Sequence, residues 1–348
     1  MTNAQGCRAM FTSDYMEGAH PEVLKRLTET NLIQTPGYGL DPLSDAARKK
    51  IRSACSCPGA AIYFLIGGTQ TNAAVIDALL RPYQGVIAAD TGHISVHEAG
   101  AIEYGGHKVL TLPHENGKLT AQAIRALCDE WTRDQNREHI VMPGMVYISH
   151  PTEFGTLYSL SELEDISRVC RRFGMPLYLD GARLAYALAC PKNDIALSDL
   201  AALCDAFYIG GTKCGLLCGE ALVVPNPALL PGFFTIMKQH GALTAKGRVL
   251  GVQFDALFTD GLYERIGRIA VRAADRIREA LAKKGYRFYI ESPTNQIFLV
   301  LEHEHAAVLA ERAGLSFFEG IDDRCGVYRI AASWATTDED VDSLLEIL

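Results

Sequence analysis

Short apolar runs alternate with amphipathic helical patterns along the first two thirds of the chain. Such runs are typical of strands that are buried on both faces of a parallel sheet. They cover residues 61–66, 86–89, 108–113, 145–149, 176–180, 206–209 and 221–224. The helical patterns between them cover residues 21–30, 42–53, 73–80, 120–132 and 161–173. Ser161 is the predicted N-cap of the last helix, and Glu164 completes a capping box. This alternation predicts an α/β fold with a parallel-rich sheet.

The pattern changes at about residue 231, where a long helical stretch replaces the alternation. Residues 243–283 are predicted to be helical with few breaks. The remaining predicted elements are strands at 286–291, 296–301 and 327–332 and helices at 303–313 and 337–348. We therefore predict a large domain over residues 1–240 and a smaller α+β domain over residues 241–348.

Composition and charge argue against several classes of protein. The 348 residues suffice for two domains, and 48% hydrophobic with 21% charged residues is ordinary for a globular protein. The net charge of −8, without a basic block, argues against nucleic acid and anionic membranes as partners. No apolar run approaches the roughly 18 residues of a transmembrane helix. Neither the cysteines nor the histidines have the spacing of a metal site, so no metal is expected. Residues 1–18 lack the apolar run of a secretory signal, so we expect a cytoplasmic protein with reduced cysteines.

Two of the predicted strands lead into charged residues that together indicate a catalytic site. The run at 176–180 ends in Asp180, with Arg183 three residues later, and the run at 206–209 leads through Gly-Gly-Thr to Lys213. Taken singly, such residues are typical of helix caps and solvated loops. Because ligands bind at the carboxyl ends of strands in open parallel sheets, an acid, an arginine and an amine are expected at one edge. A lysine that can form an imine, beside an acid and an arginine, is what a pyridoxal phosphate (PLP) enzyme needs.

A glycine-rich turn offers a place for a phosphate. The strand at 61–66 leads into Gly67-Gly68-Thr69-Gln70-Thr71-Asn72 and then into a helix. The free N–H groups and the dipole at a helix N-terminus favour an anion there. The turn matches neither the dinucleotide-binding fingerprint nor the Walker loop, so by itself it is a weak signal.

Taken together, these motifs make the chain similar to a known family. It resembles the low-specificity threonine aldolases, a branch of the fold-type-I PLP enzymes grouped with the β-eliminating lyases. The motifs that carry the resemblance follow the family's order and span nearly the whole chain. They are Ser13-Asp14, Gly37-Tyr38-Gly39 with Asp41-Pro42, Gly68-Thr69-Gln70-Thr71-Asn72, His93-Ile94 with Glu98-Ala99-Gly100, Leu179-Asp180-Gly181-Ala182-Arg183, Gly211-Thr212-Lys213 and Tyr328-Arg329-Ile330. The resemblance implies a large domain with a mostly parallel seven-stranded sheet and a smaller C-terminal α+β domain.

The resemblance also implies how the cofactor is held. PLP is expected to bind covalently to Lys213, with its ring nitrogen on Asp180. Its phosphate is expected on Gly68 and Thr69, and His93 is expected to stack on its ring and to take part in catalysis. A carboxylate beside the ring nitrogen keeps that nitrogen protonated, which makes the ring a better electron sink.

The substrate is expected to be an amino acid held by its carboxylate. Arg329 can grip a carboxylate through two parallel hydrogen bonds, and Arg183 and Ser13 are expected to help. Arg183 is expected to contact the cofactor as well. The implied reaction cleaves L-threonine, L-allo-threonine and related β-hydroxy-α-amino acids to glycine and an aldehyde. Related enzymes build each cofactor pocket from two chains, so a homodimer or homotetramer is expected.

Departures from the family's pattern keep alternatives open. His97 stands where the family usually has a tyrosine, and residues 150–156 and 238–247 differ as well. The base for the β-hydroxyl is therefore open between His97, His150 and a water linked to the phosphate. A β-eliminating lyase, a class-V-like aminotransferase and a PLP-binding protein without turnover remain alternatives.

Overall fold

The computed structural model of the protein describes residues 10–348. Residues 1–9, half of the stretch expected to lack a secretory signal, lie outside the described range. The larger sheet contains seven strands: β1 (Ala61–Leu65), β2 (Gln84–Ala89), β3 (Lys108–Leu112), β4 (Met142–Ser149), β5 (Leu177–Asp180), β6 (Ala206–Gly210) and β7 (Glu220–Val224). Their order is β1-β7-β6-β5-β4-β2-β3. β7 runs antiparallel to its neighbours β1 and β6, and the other pairs are parallel. The predicted mostly parallel seven-stranded sheet is confirmed.

Helices follow most of the strands and cover the sheet. They are α1 (Pro21–Thr30), α2 (Pro42–Ala54), α3 (Gly68–Leu79), α4 (His93–Val96), α5 (Ala101–Tyr104), α6 (Ala121–Arg133), α7 (Leu160–Phe173), α8 (Leu184–Leu188), α9 (Leu197–Leu203), α10 (Phe233–Gln239), α11 (Arg248–Leu257), α12 (Leu262–Lys283), α13 (His303–Ala313) and α14 (Asp338–Ile347). Short 3-10 turns lie at Arg137–His139 and Pro227–Leu229. Within residues 10–348, none of these helices has the length and apolar character needed to cross a membrane.

Alternate residues of the central strands fill the cores on the two faces of the sheet. On β5, Leu177 and Leu179 pack into one buried cluster, whereas Tyr178 packs into the cluster on the opposite face. On β6, Phe207 and Tyr208 divide in the same way. Side chains of successive strand residues point to opposite faces, so both faces of these strands are buried. Because both faces are filled by core residues, polar residues that could bind a ligand lie at the ends of these strands.

The N-terminus of α7 differs from the prediction by two residues. Ser159, rather than Ser161, is the N-cap, and its Oγ accepts a hydrogen bond from the Glu162 backbone N–H at 3.2 Å. The Glu162 carboxylate accepts the Ser159 backbone N–H at 2.8 Å, which completes the capping box. The sequence contains two overlapping Ser-x-x-Glu patterns, and Leu160 is already helical in the structure. The prediction that Glu164 closes the box is therefore wrong.

The long helical stretch predicted at residues 243–283 is two helices. α11 ends at Leu257, and α12 begins at Leu262. Phe258 is the C-cap of α11, and Gly261 is the N-cap of α12. Asp260 and Gly261 have φ angles of 48° and 67°, in the left-handed region, so a continuous right-handed helix is interrupted there.

The smaller sheet has three antiparallel strands, in the order β8-β10-β9. They are β8 (Gln296–Glu302), β9 (Ser316–Gly320) and β10 (Cys325–Ala331). The strand predicted at residues 286–291 is wrong, because Phe288 forms only an isolated bridge to Leu299 there. β9 was not predicted, since this short edge strand carries little of the alternation that marks a half-buried strand.

The predicted boundary at residues 240 and 241 remains a prediction. Helix α11 and the first half of α12 pack into the core of the large sheet, and the second half of α12 packs into that of the small sheet. Phe11 also packs into the small core, where its N–H donates to the Ala313 carbonyl and its carbonyl accepts the Ala331 N–H. The two cores are thus connected by α12 and by the start of the described chain.

Candidate active site

A cavity of about 290 Å³ lies at the carboxyl ends of β4, β5 and β6. The sequence-predicted residues that line it are Gly68, Thr69, His93, Asp180, Arg183 and Lys213. Ser149, at the end of β4, and Glu153, in the turn that follows, also line it. Polar groups from distant parts of the chain therefore meet at one edge of the sheet, where open α/β sheets bind ligands.

Asp180 is the last residue of β5, and its buried carboxylate accepts four hydrogen bonds. Oδ1 accepts the Tyr208 hydroxyl at 2.5 Å and the Ala182 N–H at 2.9 Å. Oδ2 accepts the Tyr147 hydroxyl at 2.7 Å and the Asn72 side-chain N–H at 3.1 Å. Burial alone would raise the pKa of Asp180, but the charge of His93 and these hydrogen bonds lower it below its ordinary value. The carboxylate is thus held rigidly in its ionised form.

Lys213 follows β6 by three residues, and its half-buried side chain reaches the same cavity. Burial lowers the pKa of Lys213, and the positive charge of Arg183 lowers it further. Both effects favour the neutral amine over the ammonium ion. The neutral amine is the form that attacks a carbonyl carbon.

The N-terminus of α3 opens onto the cavity at Gly68 and Thr69. The N-cap residue, Gly67, provides no side-chain cap to the first turn. The first N–H groups of a helix have no partner inside the helix, and the helix dipole makes this end positive. A Cβ on Gly68 would lie 3.0 Å from the Tyr208 hydroxyl, so a side chain there would crowd the residue that holds Asp180.

His93 begins the short helix α4 and is held at two of its atoms. Its Nδ1 lies 2.7 Å from Glu98 Oε1, and its backbone N–H donates to Glu153 Oε1 at 2.9 Å. Glu98 Oε1 also accepts the Asn72 side-chain N–H at 2.7 Å, so Asn72 bridges Glu98 and Asp180. A buried polar network thus connects the His93 ring to the end of β5.

The structure places two other predicted histidines away from the cavity wall. His97 is exposed at the end of α4, with its ring centroid 5.6 Å from that of His93. Burial, and then nearby positive groups led by His93, lower the pKa of His97. His150 is fully buried, and its Nε2 lies 3.2 Å from Asn193 Oδ1. Burial lowers the pKa of His150 to about 4, so this ring is neutral at physiological pH.

The guanidinium of Arg183 forms a bidentate ion pair with Asp14. The Arg183 Nε and Nη2 groups donate to Asp14 at 2.7 and 3.0 Å. Asp14 is buried and also accepts the Asn295 side-chain N–H at 2.8 Å. Burial alone would raise the pKa of Asp14, but the charges of Arg183 and Lys213 and the hydrogen bonds lower it to about 2. Asp14 therefore fixes the orientation of Arg183 at the cavity.

Arg329 lies on β10 and is held by three acceptors. Its guanidinium donates to Ser316 Oγ at 3.2 Å, to Gln296 Oε1 at 3.1 Å and to the Thr12 carbonyl at 3.1 Å. Burial and then the charge of Arg183 lower the pKa of Arg329, so an anion near both guanidinium groups would be stabilised. Neither Arg329 nor the half-buried Ser13 lines the 290 Å³ cavity.

The sequence predicted the charged residues of the site better than the residues that form hydrogen bonds to them. Tyr147 and Tyr208 around Asp180, and Gln296 and Ser316 around Arg329, had no assigned role. Asp14, Asn72 and Glu98 stand inside the motifs quoted above, which is the one signal that could have found them. Gln296 and Ser316 lie far from any motif, so no local pattern marks them.

The fold and this cavity define a class of protein. A mutant aspartate aminotransferase of Thermus thermophilus has a TM-score of 0.70 at 15% identity, covering 97% of this chain and 95% of that one. This likeness shows the fold alone, which is that of the fold-type-I PLP-dependent enzymes.

The family follows from closer comparisons. The family model described as Beta-eliminating lyase matches residues 11–313, and the chain belongs to this family. It is therefore an enzyme of a lyase family. The low-specificity L-threonine aldolases of Pseudomonas aeruginosa and of Pseudomonas sp. strain NCIMB 10558 are each 31% identical to it, over 96% of this chain and 95% of theirs. The structure of Leishmania major threonine aldolase has a TM-score of 0.94 at 42% identity, covering 97% of this chain and 98% of that one.

Proposed function

We propose that this protein is a PLP-dependent aldolase that cleaves L-threonine, L-allo-threonine and related β-hydroxy-α-amino acids to glycine and an aldehyde. One observation carries the proposal: the Lys213 amine and the Asp180 carboxylate line one cavity at the carboxyl ends of neighbouring strands. The relatives at 31% identity are named as low-specificity L-threonine aldolases, which supports the substrate class.

The groups along the cavity fit PLP. A carboxylate kept ionised by four donors suits a protonated ring nitrogen, and an amine of lowered pKa suits attachment to an aldehyde carbon. The uncapped first turn of α3 suits a phosphate. We therefore assign the ring nitrogen to Asp180, the aldehyde carbon to Lys213 and the phosphate to Gly68 and Thr69. When bound, PLP supplies an electron sink for the bonding pair released at the substrate α-carbon.

His93, the first residue of α4, has a role in the proposed site, whereas His97, the C-cap of α4, has none assigned. We place the His93 ring against the cofactor ring, because His93 lines the cavity and Glu98 fixes its orientation. The catalytic role predicted for His97 stays a prediction; its ring contacts that of His93 from the exposed side.

We assign the substrate carboxylate to the two arginines. Arg183 lines the cavity, and its orientation is fixed by Asp14. The mutual repulsion of Arg183 and Arg329 is relieved when an anion lies near both. Ser13, next to Asp14 in the chain, is the third group of this proposal. Holding the carboxylate orients the Cα–Cβ bond for cleavage, since reacting groups held in place lose less entropy in the transition state.

We further propose that the protein is a cytoplasmic homodimer or homotetramer. Large apolar side chains are exposed on the segment before α2, among them Leu32, Ile33, Tyr38 and Leu40. Exposed apolar groups that cluster are typical of an interface between chains. The cysteines in residues 10–348 are free thiols, which suits a reducing compartment.

An assay of the purified protein with PLP tests the reaction. We expect L-threonine and L-allo-threonine to yield glycine and acetaldehyde in equal amounts, because cleavage of the Cα–Cβ bond gives one of each. Glycine is measured by amino-acid analysis, and acetaldehyde by coupled reduction with alcohol dehydrogenase and NADH.

Three results would contradict the proposed reaction. One is bound PLP without product from any β-hydroxy-α-amino acid. The others are pyruvate and ammonia from L-serine or L-cysteine, which would indicate a β-eliminating lyase, and amino transfer to a 2-oxo acid, which would indicate an aminotransferase.

A further inference from the structure

Glu153 is a carboxylate in the cavity that is assigned neither to the cofactor nor to the substrate carboxylate. It lies in the turn after β4, four residues beyond Ser149, and lines the cavity with His93, Asp180 and Lys213. Glu153 is half-buried, and a carboxylate that is partly removed from water is costly unless it is hydrogen-bonded.

The two oxygens of the Glu153 carboxylate differ in their contacts. Oε1 accepts the Ser149 hydroxyl at 2.6 Å and the His93 backbone N–H at 2.9 Å. Oε2 accepts no hydrogen bond from any other residue among residues 10–348. The side chain is thus anchored through Oε1, while Oε2 remains able to accept a proton.

The main chain of Glu153 is anchored as well. Its carbonyl accepts the side-chain N–H of Gln296, on β8, at 3.3 Å. The same Gln296 side chain accepts a hydrogen bond from Arg329 at 3.1 Å. Gln296 therefore links the position of Glu153 to that of the guanidinium assigned to the substrate carboxylate.

We propose that Glu153 is the general base that accepts the β-hydroxyl proton of the substrate. The proposal deepens the aldolase function above and rests on it. The β-hydroxyl O–H bond breaks, and its proton goes to Glu153 Oε2. The electron pair of that bond becomes the second bond of the aldehyde C=O. The Cα–Cβ bond breaks at the same time, and its electron pair stays with the α-carbon, which then takes up one proton to become the CH2 group of glycine.

The charged surroundings of Glu153 suit this role. Burial raises the pKa of Glu153, and the charge of Asp180 adds to this. The hydrogen bonds from Ser149 and from the backbone N–H of Glu153 itself oppose it, as does the charge of His93. The pKa remains above its ordinary value. Tyr147 on β4 and Tyr158 before α7 are the other titratable groups coupled to it, and burial raises both of their pKa values, so they stay neutral. A carboxylate whose pKa is closer to the working pH is a better proton acceptor.

The histidines left open by the sequence are less suitable as the base. His150 is fully buried beside Asn193 and does not line the cavity. His97 is exposed and does not line the cavity either. Glu153 combines a place on the cavity wall, a fixed orientation and an oxygen atom, Oε2, that accepts no hydrogen bond from another described residue.

The test compares two reactions in Glu153→Gln, which keeps the size of the side chain and removes the base. Retro-aldol cleavage of L-allo-threonine needs the base, whereas exchange of the glycine α-proton with D2O involves no β-hydroxyl. We expect kcat for cleavage to fall about 10²- to 10⁴-fold, the usual contribution of a general base. Glycine α-proton exchange, followed by proton NMR, should stay close to the wild-type rate. PLP content and the affinity for glycine, both measured by absorbance, should be unchanged.

Two control variants separate the alternatives. Glu103→Gln removes an exposed carboxylate and is expected to leave both reactions unchanged. His97→Gln tests the competing base and is expected to lower cleavage much less than Glu153→Gln does. A cleavage loss in His97→Gln with full activity in Glu153→Gln would overturn the proposal. So would an equal loss of cleavage and exchange in Glu153→Gln, because this would indicate a structural role.

The pH profile gives a second readout. The base must be ionised, so kcat/KM for cleavage should fall as the pH drops through the raised pKa of Glu153. This acidic limb should disappear in Glu153→Gln, and its persistence there would contradict the proposal. Failure of the proposed function looks different: the wild-type protein would then bind PLP and cleave no β-hydroxy-α-amino acid.

Discussion

Replacement of Lys213 by alanine is expected to abolish cleavage of L-threonine and the visible absorbance of enzyme-bound PLP. Lys213 is the only lysine among residues 10–348 that lines the cavity, so the rest of the wall offers no second amine for covalent attachment. Nucleophiles that act through a covalent bond contribute several orders of magnitude to the rate, and we expect a loss of about 10⁴-fold or more. Absorbance spectra after gel filtration and the aldehyde assay measure the two effects.

Two controls make this prediction sharper. Lys213→Arg keeps a long basic side chain but cannot form the C=N bond, so it should fail in the same way as Lys213→Ala. Lys192→Ala removes an exposed lysine and should behave as the wild type. A yellow, active Lys213→Ala protein would show that the cofactor is attached elsewhere.

Replacement of Asp180 by asparagine is expected to have the second-largest effect. The side chain keeps its size, but it loses the negative charge that we propose keeps the ring nitrogen of PLP protonated. Loss of one such preorganised electrostatic group typically costs about 10²- to 10³-fold in kcat. The hydroxyls of Tyr147 and Tyr208 would still hold the side chain, so we expect the variant to fold and to bind PLP. Steady-state kinetics and the PLP absorbance spectrum check these expectations.

Asp205→Asn is the matched control for Asp180. Asp205 lies just before β6, at the opposite end of the sheet, where it accepts the Leu177 N–H at 2.8 Å. Its replacement removes a strand-end carboxylate without touching the cavity. An Asp180→Asn protein with wild-type kcat, or an Asp205→Asn protein with the larger loss of kcat, would contradict the assignment of Asp180.

The central strands could be predicted because their sequences have one clear interpretation. Runs such as Leu177–Asp180 and Ala206–Gly210 are apolar on both faces and end abruptly in polar residues. The start of α7 was harder to predict, because two overlapping helix-capping patterns fit the sequence there. Ser159 and Ser161 both start a Ser-x-x-Glu pattern, and which of them caps α7 depends on the path of the preceding chain.

The candidate site could be predicted only in part, for a related reason. The polar residues at strand ends are visible in the sequence, because the fold brings those ends to one edge. The groups that hold them come from elsewhere: Asn72 from α3, and Gln296 from a strand of the other sheet. Their contacts depend on how the two cores pack together, which no local spacing records. Glu153 was visible as part of a departure from the family's pattern, and its free oxygen became apparent only in three dimensions.

The central claim is that the Lys213 amine carries PLP within reach of the Asp180 carboxylate. Borohydride reduces a lysine–PLP C=N bond to a stable C–N bond, so peptide mapping by mass spectrometry can locate the modified lysine. We predict a single modified peptide, with the pyridoxyl group on Lys213. Modification of another lysine, or none after incubation with excess PLP, would contradict the account.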